Sequence, residues 1–252
     1  MKKAGFTLIE ISIVLLIIGL LIGGTLVGES LIRTSQLNAV ISEVTQFQQG
    51  FKDFQARYNA LPGDMVNATD SWGAEAACPA TIYTASPHIL TCNGDGDGQI
   101  GAASGSYYEL FRAWQQLSNA AMIKGSFNGI KGSGASGYES LPGINVPKAK
   151  LDSGAYSLFN TLATLPGTNW PLTGHVLVLG SALTNDITRM AALRPSEALA
   201  LDTKIDDGLP GYGKVVTQRV VNCITDVNDA TLSKYNATNN GIFCNLVFTM
   251  GF

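Results

Sequence analysis

The chain has 252 residues, a formal charge of −3 and 14% charged residues, so it lacks the basic surplus that nucleic-acid binding requires. A hydrophobic content of 46% excludes disorder, and the length suits one domain with a real core plus an appended element. Low charge combined with 28 glycines and much Ser, Thr and Asn fits a secreted, loop-rich, β-containing domain better than a cytosolic enzyme.

The amino terminus reads Met-Lys-Lys-Ala-Gly, then Phe6-Thr7-Leu8-Ile9-Glu10, then an uncharged run of mostly Ile, Leu and Val from Ile11 to Gly28. That run is long enough to span a bilayer as a helix. Lys2 and Lys3 precede it, so the positive-inside bias keeps the first residues cytoplasmic and sends the rest outward. An ordinary secretory signal peptide would need a small-x-small cleavage site after the apolar core, and Leu26-Val27-Gly28 is a poor one. Glu10 stands at the mouth of the apolar run, where a carboxylate is costly, on the order of 2.5–3.5 kcal/mol at a bilayer centre, and so asks for a partner.

Beyond Gly28 the apolar residues become periodic. Leu37, Ile41, Val44, Phe47, Phe51, Phe54 and Tyr58 recur at steps of three or four, with polar residues between them, which predicts an amphipathic helix. Joined to the membrane run it makes one helix from about Phe6 to Tyr58, ~80 Å long. Leu61-Pro62-Gly63-Asp64 then breaks it.

Gly5-Phe6-Thr7-Leu8-Ile9-Glu10, after a short basic leader and before such a helix, resembles the processing signature of type IV pilins and type II secretion pseudopilins. The resemblance implies that a membrane-embedded prepilin peptidase cuts Gly5–Phe6, and that Phe6 becomes an N-methylated first residue. It further implies that Glu10 pairs with the Phe6 amine of a neighbouring subunit. An ammonium and a carboxylate, each costly alone in lipid, offset one another when both are present. The implied fold is α+β and pilin-like: a long N-terminal α-helix, with a membrane half and an amphipathic half, packed on a loop-rich head with a small antiparallel β-sheet. The implied organisation is a leader at 1–5, a membrane or filament-core half at 6–28, an amphipathic half at 29–60 and a periplasmic or extracellular head at 61–252. The implied function is a structural subunit of a pilus-like or pseudopilus filament. Its partners would be its own copies or other pilin-like subunits, the prepilin peptidase and an inner-membrane assembly platform. The alternative is a minor tip pilin or a membrane-anchored adhesin. The chain departs from many family members in having no proline in the second half of the membrane run. Gly19, Gly23, Gly24 and Gly28 are the available weak points of the helix, and Gly19, Gly23 and Gly24 equally permit close helix packing.

Four cysteines, Cys78, Cys92, Cys223 and Cys244, contain no C-x-x-C, and there are only two histidines, which argues against zinc. Disulfides in an oxidising compartment are expected. Of the three connectivities, the local pairs Cys78–Cys92 and Cys223–Cys244 are favoured, the alternative being free buried thiols. Residues 61–105 read as loop. Within them, Asn93-Gly94-Asp95-Gly96-Asp97-Gly98-Gln99-Ile100 places oxygen side chains at alternate positions, with the Gln99 carbonyl as a further donor. This is the first half of a calcium loop. The glutamate expected at its twelfth position is missing, because Ser104 stands there; Glu109 or Asp64 would have to complete the shell. A tight turn built on Asx hydrogen bonds is the competing reading.

Tyr107 to Leu117 has helical periodicity, with Leu110, Trp114, Leu117 and Ala121 on the core face. Gly125 to Gly143 reads as a surface loop, Tyr156 to Leu165 as a short helix, and His175 to Gly180 as a buried strand. Pro195 opens a short helix through Leu201. A second acidic turn, Asp202 to Gly211, more naturally caps a helix than holds a cation. Lys214 to Ile224 and Ile242 to Met250 read as a late hairpin tied by Cys223–Cys244. His88 and His175 belong to no recognisable triad, and no G-x-S-x-G, Walker or dinucleotide loop is present, so no catalysis is expected.

Overall fold

The computed structural model of the chain describes residues 6–76, 78, 89–101, 108–132, 139–160, 172, 174–218 and 220–251. Among the described residues, four helices, α1 (Leu8–Tyr58), α2 (Ala68–Trp72), α3 (Tyr108–Asn119) and α4 (Pro195–Ile205), accompany four strands. The strands are β1 (Gly154–Asn160), β2 (His175–Ser181), β3 (Val215–Val216) and β4 (Leu246–Thr249).

One continuous helix of 51 residues, α1, joins both halves anticipated from the sequence. Thr7 caps its start: the hydroxyl accepts from the Glu10 amide at 3.3 Å, while the Glu10 carboxylate accepts from the Thr7 amide at 2.7 Å. This reciprocal capping box satisfies two of the amides that a helix start leaves unpaired. At the far end Asn59 turns left-handed (φ 51°) and donates to Gln55, after which Pro62 prevents continuation. The first half is bare: Phe6, Leu8 and Leu20 are 85%, 89% and 69% exposed. The second half buries Val40, Val44, Phe47, Phe51 and Phe54, the face read from the periodicity with Val40 added. Leu37, Ile41 and Tyr58 pack against that core while staying partly exposed.

A sheet in the order β1-β2-β4-β3, antiparallel throughout, forms the other wall of the head. Tyr156 pairs with Leu179, and Leu177 with Phe248, so these side chains share one face. That face meets α1, where Phe47 packs edge-on against Tyr156 and against Trp114 of α3, both with centroids 5.1 Å apart. The opposite face is also covered. Ser157 lies against Ser140 and Thr188, with oxygen separations of 2.8 and 2.7 Å. Burial on both faces makes β2 read as a continuous apolar run. The same double burial explains one correction. Residues 156–160, expected in a helix, are the central part of β1, whose polar Ser157 and Asn160 are as buried as its apolar residues. Residues 161–165 of that expectation lie outside the described residues.

Four other readings change. The 61–105 stretch contains α2, which sets Trp72 against Phe54 and Tyr58. The 125–143 loop is not wholly superficial, since Phe127 and Ile130 are buried; residues 133–138 lie outside the described residues. The late hairpin is much shorter than expected. Asn245 accepts from the Gln218 amide through its side chain and from the Thr217 hydroxyl through its carbonyl, diverting the chain from the ladder after Val216. Ala121, expected on the core face, instead follows α3 with φ 58° and is exposed. Both local disulfides are formed, with Cα atoms 5.6 Å apart at Cys78–Cys92 and 5.1 Å apart at Cys223–Cys244.

Candidate functional site

The loop at 93–101 is held by three side chains that come from three elements. Asp64, just after α1, accepts the Gly96 amide at 2.6 Å and the Gly98 amide at 3.1 Å. Glu109, in the first turn of α3, accepts the Asp95 amide at 3.1 Å and the Gly101 amide at 2.8 Å. His175, at the start of β2, accepts the Ile100 amide on Nε2 at 2.8 Å, so that nitrogen carries no proton. Close backbone approach makes this grip feasible. A Cβ on Gly94 would lie 2.3 Å from the Asp64 backbone, and one on Gly63, whose φ is +90°, would lie 2.5 Å from the Glu109 carbonyl.

The fold brings the carboxylates of Asp64, Asp95 and Asp97 together, with ligand atoms within 4.8 Å of one another. Such a cluster of hard oxygen donors can hold a metal ion. The other sequence candidates are placed differently. Asn93 turns its carbonyl oxygen to the Thr69 amide at 2.9 Å, supporting the first turn of α2. The Gln99 side chain accepts from Asn160 at 2.9 Å. Glu109 shapes the loop through its amides, and Ser104 lies outside the described residues. Asx turns are present in the same loop: Asp95 accepts the Asp97 amide at 3.1 Å and Asp97 the Gln99 amide at 2.8 Å. A carboxylate oxygen has two lone pairs, so these turns and a cation are compatible. Burial pushes Glu109 up to about 7, partly offset by the amides of Gly101 and Asp95 and reinforced by the charges of Asp95 and Asp64. Asp64 is raised as well, again mainly by burial, with Asp97 and Asp95 adding repulsion.

A second acidic group, Asp202, Asp206 and Asp207, also has ligand atoms within 4.8 Å. It lies where α4 ends, because α4 runs to Ile205 rather than stopping at Leu201. Asp202 is fully buried, accepting from the Tyr235 hydroxyl at 2.9 Å and the Gly208 amide at 3.3 Å. Asp206 accepts from the amides of Lys214 and Val215, and Asp207 from that of Leu209. Burial raises Asp202 to about 7, against the hydrogen bonds from Tyr235 and Gly208, with the charges of Asp207 and Asp206 adding to the rise. The folded state therefore binds this proton more tightly than the unfolded chain, whose value is 3.8. Stability from this group is fully present below that value and is lost as pH rises through about 7. In chelator the chain is expected to melt at a higher temperature at pH 5 than at pH 8, and Asp202→Asn should flatten the slope. An unchanged slope in Asp202→Asn, read by thermal scans across that range, would contradict this assignment.

At the amino terminus the structure places Glu10 within the capping box described above; Gly5 lies outside the described residues. The 18-residue apolar window of α1 is entirely unburied, and α1 is long and apolar enough to cross a membrane. His88 lies outside the described residues.

Residues 1–26 match the family model described as the prokaryotic N-terminal methylation motif. No curated protein and no solved structure matches the chain. The chain therefore carries a prepilin-type methylation signal at the start of a pilin-like architecture, a long helix on a loop-rich head with a small antiparallel sheet. Motif and architecture together support membership of the type IV pilin and pseudopilin family. They are consistent with a non-catalytic structural subunit and with a single membrane-spanning or signal segment.

Proposed function

We propose that the chain is a structural, non-catalytic subunit of a type IV pilus-like or type II secretion pseudopilus filament. Processing at Gly5–Phe6 would free a Phe6 amine for methylation, and residues 6–28 would hold the subunit in the inner membrane with the head outside until assembly. In the filament those residues form the core, and residues 61–252 coat it. The peptidase and an assembly platform act on the chain before polymerisation. The observation that supports this most is the division of α1. One half, beginning in the methylation motif, has no apolar partner among the described residues, while the other is locked into the head through Phe47, Phe51 and Phe54. So much unpaired apolar surface demands lipid or neighbouring helices. The test is the intact mass and amino-terminal sequence of the chain from native membranes and from sheared surface material. A chain beginning at N-methyl-Phe6 supports the reading. A chain beginning at Met1 points instead to a membrane-anchored adhesin or other binding module.

The cation suited to Asp64, Asp95 and Asp97 is calcium, since all three donors are hard carboxylate oxygens. Calcium at one hundred times its Kd would stabilise the chain by about 2.7 kcal/mol. Asp95→Asn with Asp97→Asn is expected to abolish the calcium-dependent rise in melting temperature of the detergent-solubilised chain. An equal drop in chelator and in calcium would assign these residues to the turn alone.

A further inference from the structure

Among the described residues, Arg33 is the first side chain of α1 to hydrogen-bond another element. Its guanidinium grips Glu197 at the start of α4 with both ends, Nε to Oε1 at 2.6 Å and Nη2 to Oε2 at 2.7 Å. The pair is largely shielded, with side chains 28% and 10% exposed. Glu197 is fixed from its own side as well, because Oε2 accepts the Arg194 amide at 2.9 Å at the start of α4. Gln36 reaches Asp152 at 3.1 Å and Asn38 accepts from Lys204 at 2.9 Å, one turn further along. On the other side of Arg33 the helix has no support among the described residues. A Cβ on Gly19, Gly23, Gly24 or Gly28 would meet nothing within 4 Å, and each glycine weakens a helix by about 0.8–1 kcal/mol relative to alanine.

The geometry points to Arg33 as a positioning residue: its two-pronged pair with Glu197 sets the direction in which the bare half of α1 leaves the head. Full burial begins only at Val40, so without this pair the helix would be tied at its exit by the partly buried Leu37 and by the single hydrogen bonds of Gln36 and Asn38. A planar guanidinium held at two points fixes orientation as well as distance, which a single contact does not. Glu197 transmits that orientation to α4 through the same carboxylate that starts the helix.

The test uses the full chain in detergent micelles, spin-labelled at Thr25→Cys and Thr231→Cys with both native disulfides intact. Both positions are exposed. Distances between the labels are measured by pulsed electron resonance in the parent, Arg33→Gln, Glu197→Gln and the double variant. Glutamine at 197 retains an oxygen for the Arg194 amide, so the cap survives while the charge is lost. Each single variant is expected to broaden the distance distribution at least twofold with little change in melting temperature, and the double variant to be no broader than either. Unchanged widths in both single variants would overturn the proposal. So would additive broadening in the double variant, because the two residues would then act separately.

Discussion

Glu75→Ala is expected to destabilise the head by about 3–5 kcal/mol, the range seen when one partner of a buried ion pair is removed. Arg112 Nη2 meets Glu75 Oε2 at 2.5 Å, with side chains 0% and 3% exposed. Alanine would leave a guanidinium in the interior whose remaining support is Gln115, at 2.9 Å from Nη1. Burial depresses the Arg112 pKa, and the Glu75 carboxylate beside it favours the charged form. The backbone amide at position 75, which alanine retains, still donates to the Thr91 carbonyl at 2.9 Å, so the loss is that of the side-chain pair. At about 2–4 °C per kcal/mol for a domain of this size, the melting temperature should fall by roughly 10 °C. Glu75→Leu with Arg112→Met should recover much of it, since a buried pair is often replaceable by apolar side chains of similar volume. A midpoint unmoved in Glu75→Ala, read by thermal or urea unfolding, would mean the interior there is wetter than the burial indicates.

Glu10→Ala is expected to leave cleavage at Gly5–Phe6 intact while removing most assembled filament, and Glu10→Gln separates two reasons for such a loss. The Glu10 carboxylate caps its own helix through Thr7, a contact glutamine can reproduce. Glutamine cannot neutralise the ammonium of a neighbouring Phe6. If pairing between subunits is what matters, both variants lose filament. Leaving a desolvated ammonium unpaired at about 3–5 kcal/mol corresponds to more than a hundredfold in each subunit addition. If capping is what matters, glutamine restores assembly and alanine does not. Filament yield in sheared fractions, compared with intact mass of the membrane pool, distinguishes these results.

The parts of this molecule legible in its sequence are those where a single face of an element meets the core. Val44, Phe47, Phe51 and Phe54 follow one another at helical spacing, and Pro62 ends the pattern, so the length and buried face of α1 were readable. Elements buried on several sides were not. In α3 the side chains of Glu109, Arg112, Gln115 and Gln116 are as buried as Leu110 and Trp114, because the loops around the helix use them as anchors. Gln116, for example, accepts the Gly63 amide at 2.6 Å. No periodicity distinguishes such a polar side chain from a solvated one. Likewise β1 lacks alternation because both its faces are covered. In the acidic loop, Asp95 and Asp97 were visible by spacing. Asp64, some thirty positions earlier, could be named only as a candidate, and the loop contact of His175 carried no signal in the sequence. Their roles arise from backbone approach at Gly63 and Gly94, a property of the folded chain.

The continuity of α1 has a mechanical consequence. No proline interrupts its 51 residues, so the ladder of backbone hydrogen bonds runs unbroken from the bare end into the head. Tension applied along the bare half therefore arrives parallel to the row formed by Phe47 and Phe51 against Trp114 and Tyr156 and by Phe54 against Trp72. Loaded in that direction, the row must slide as a unit, and the contacts share the force instead of peeling one after another.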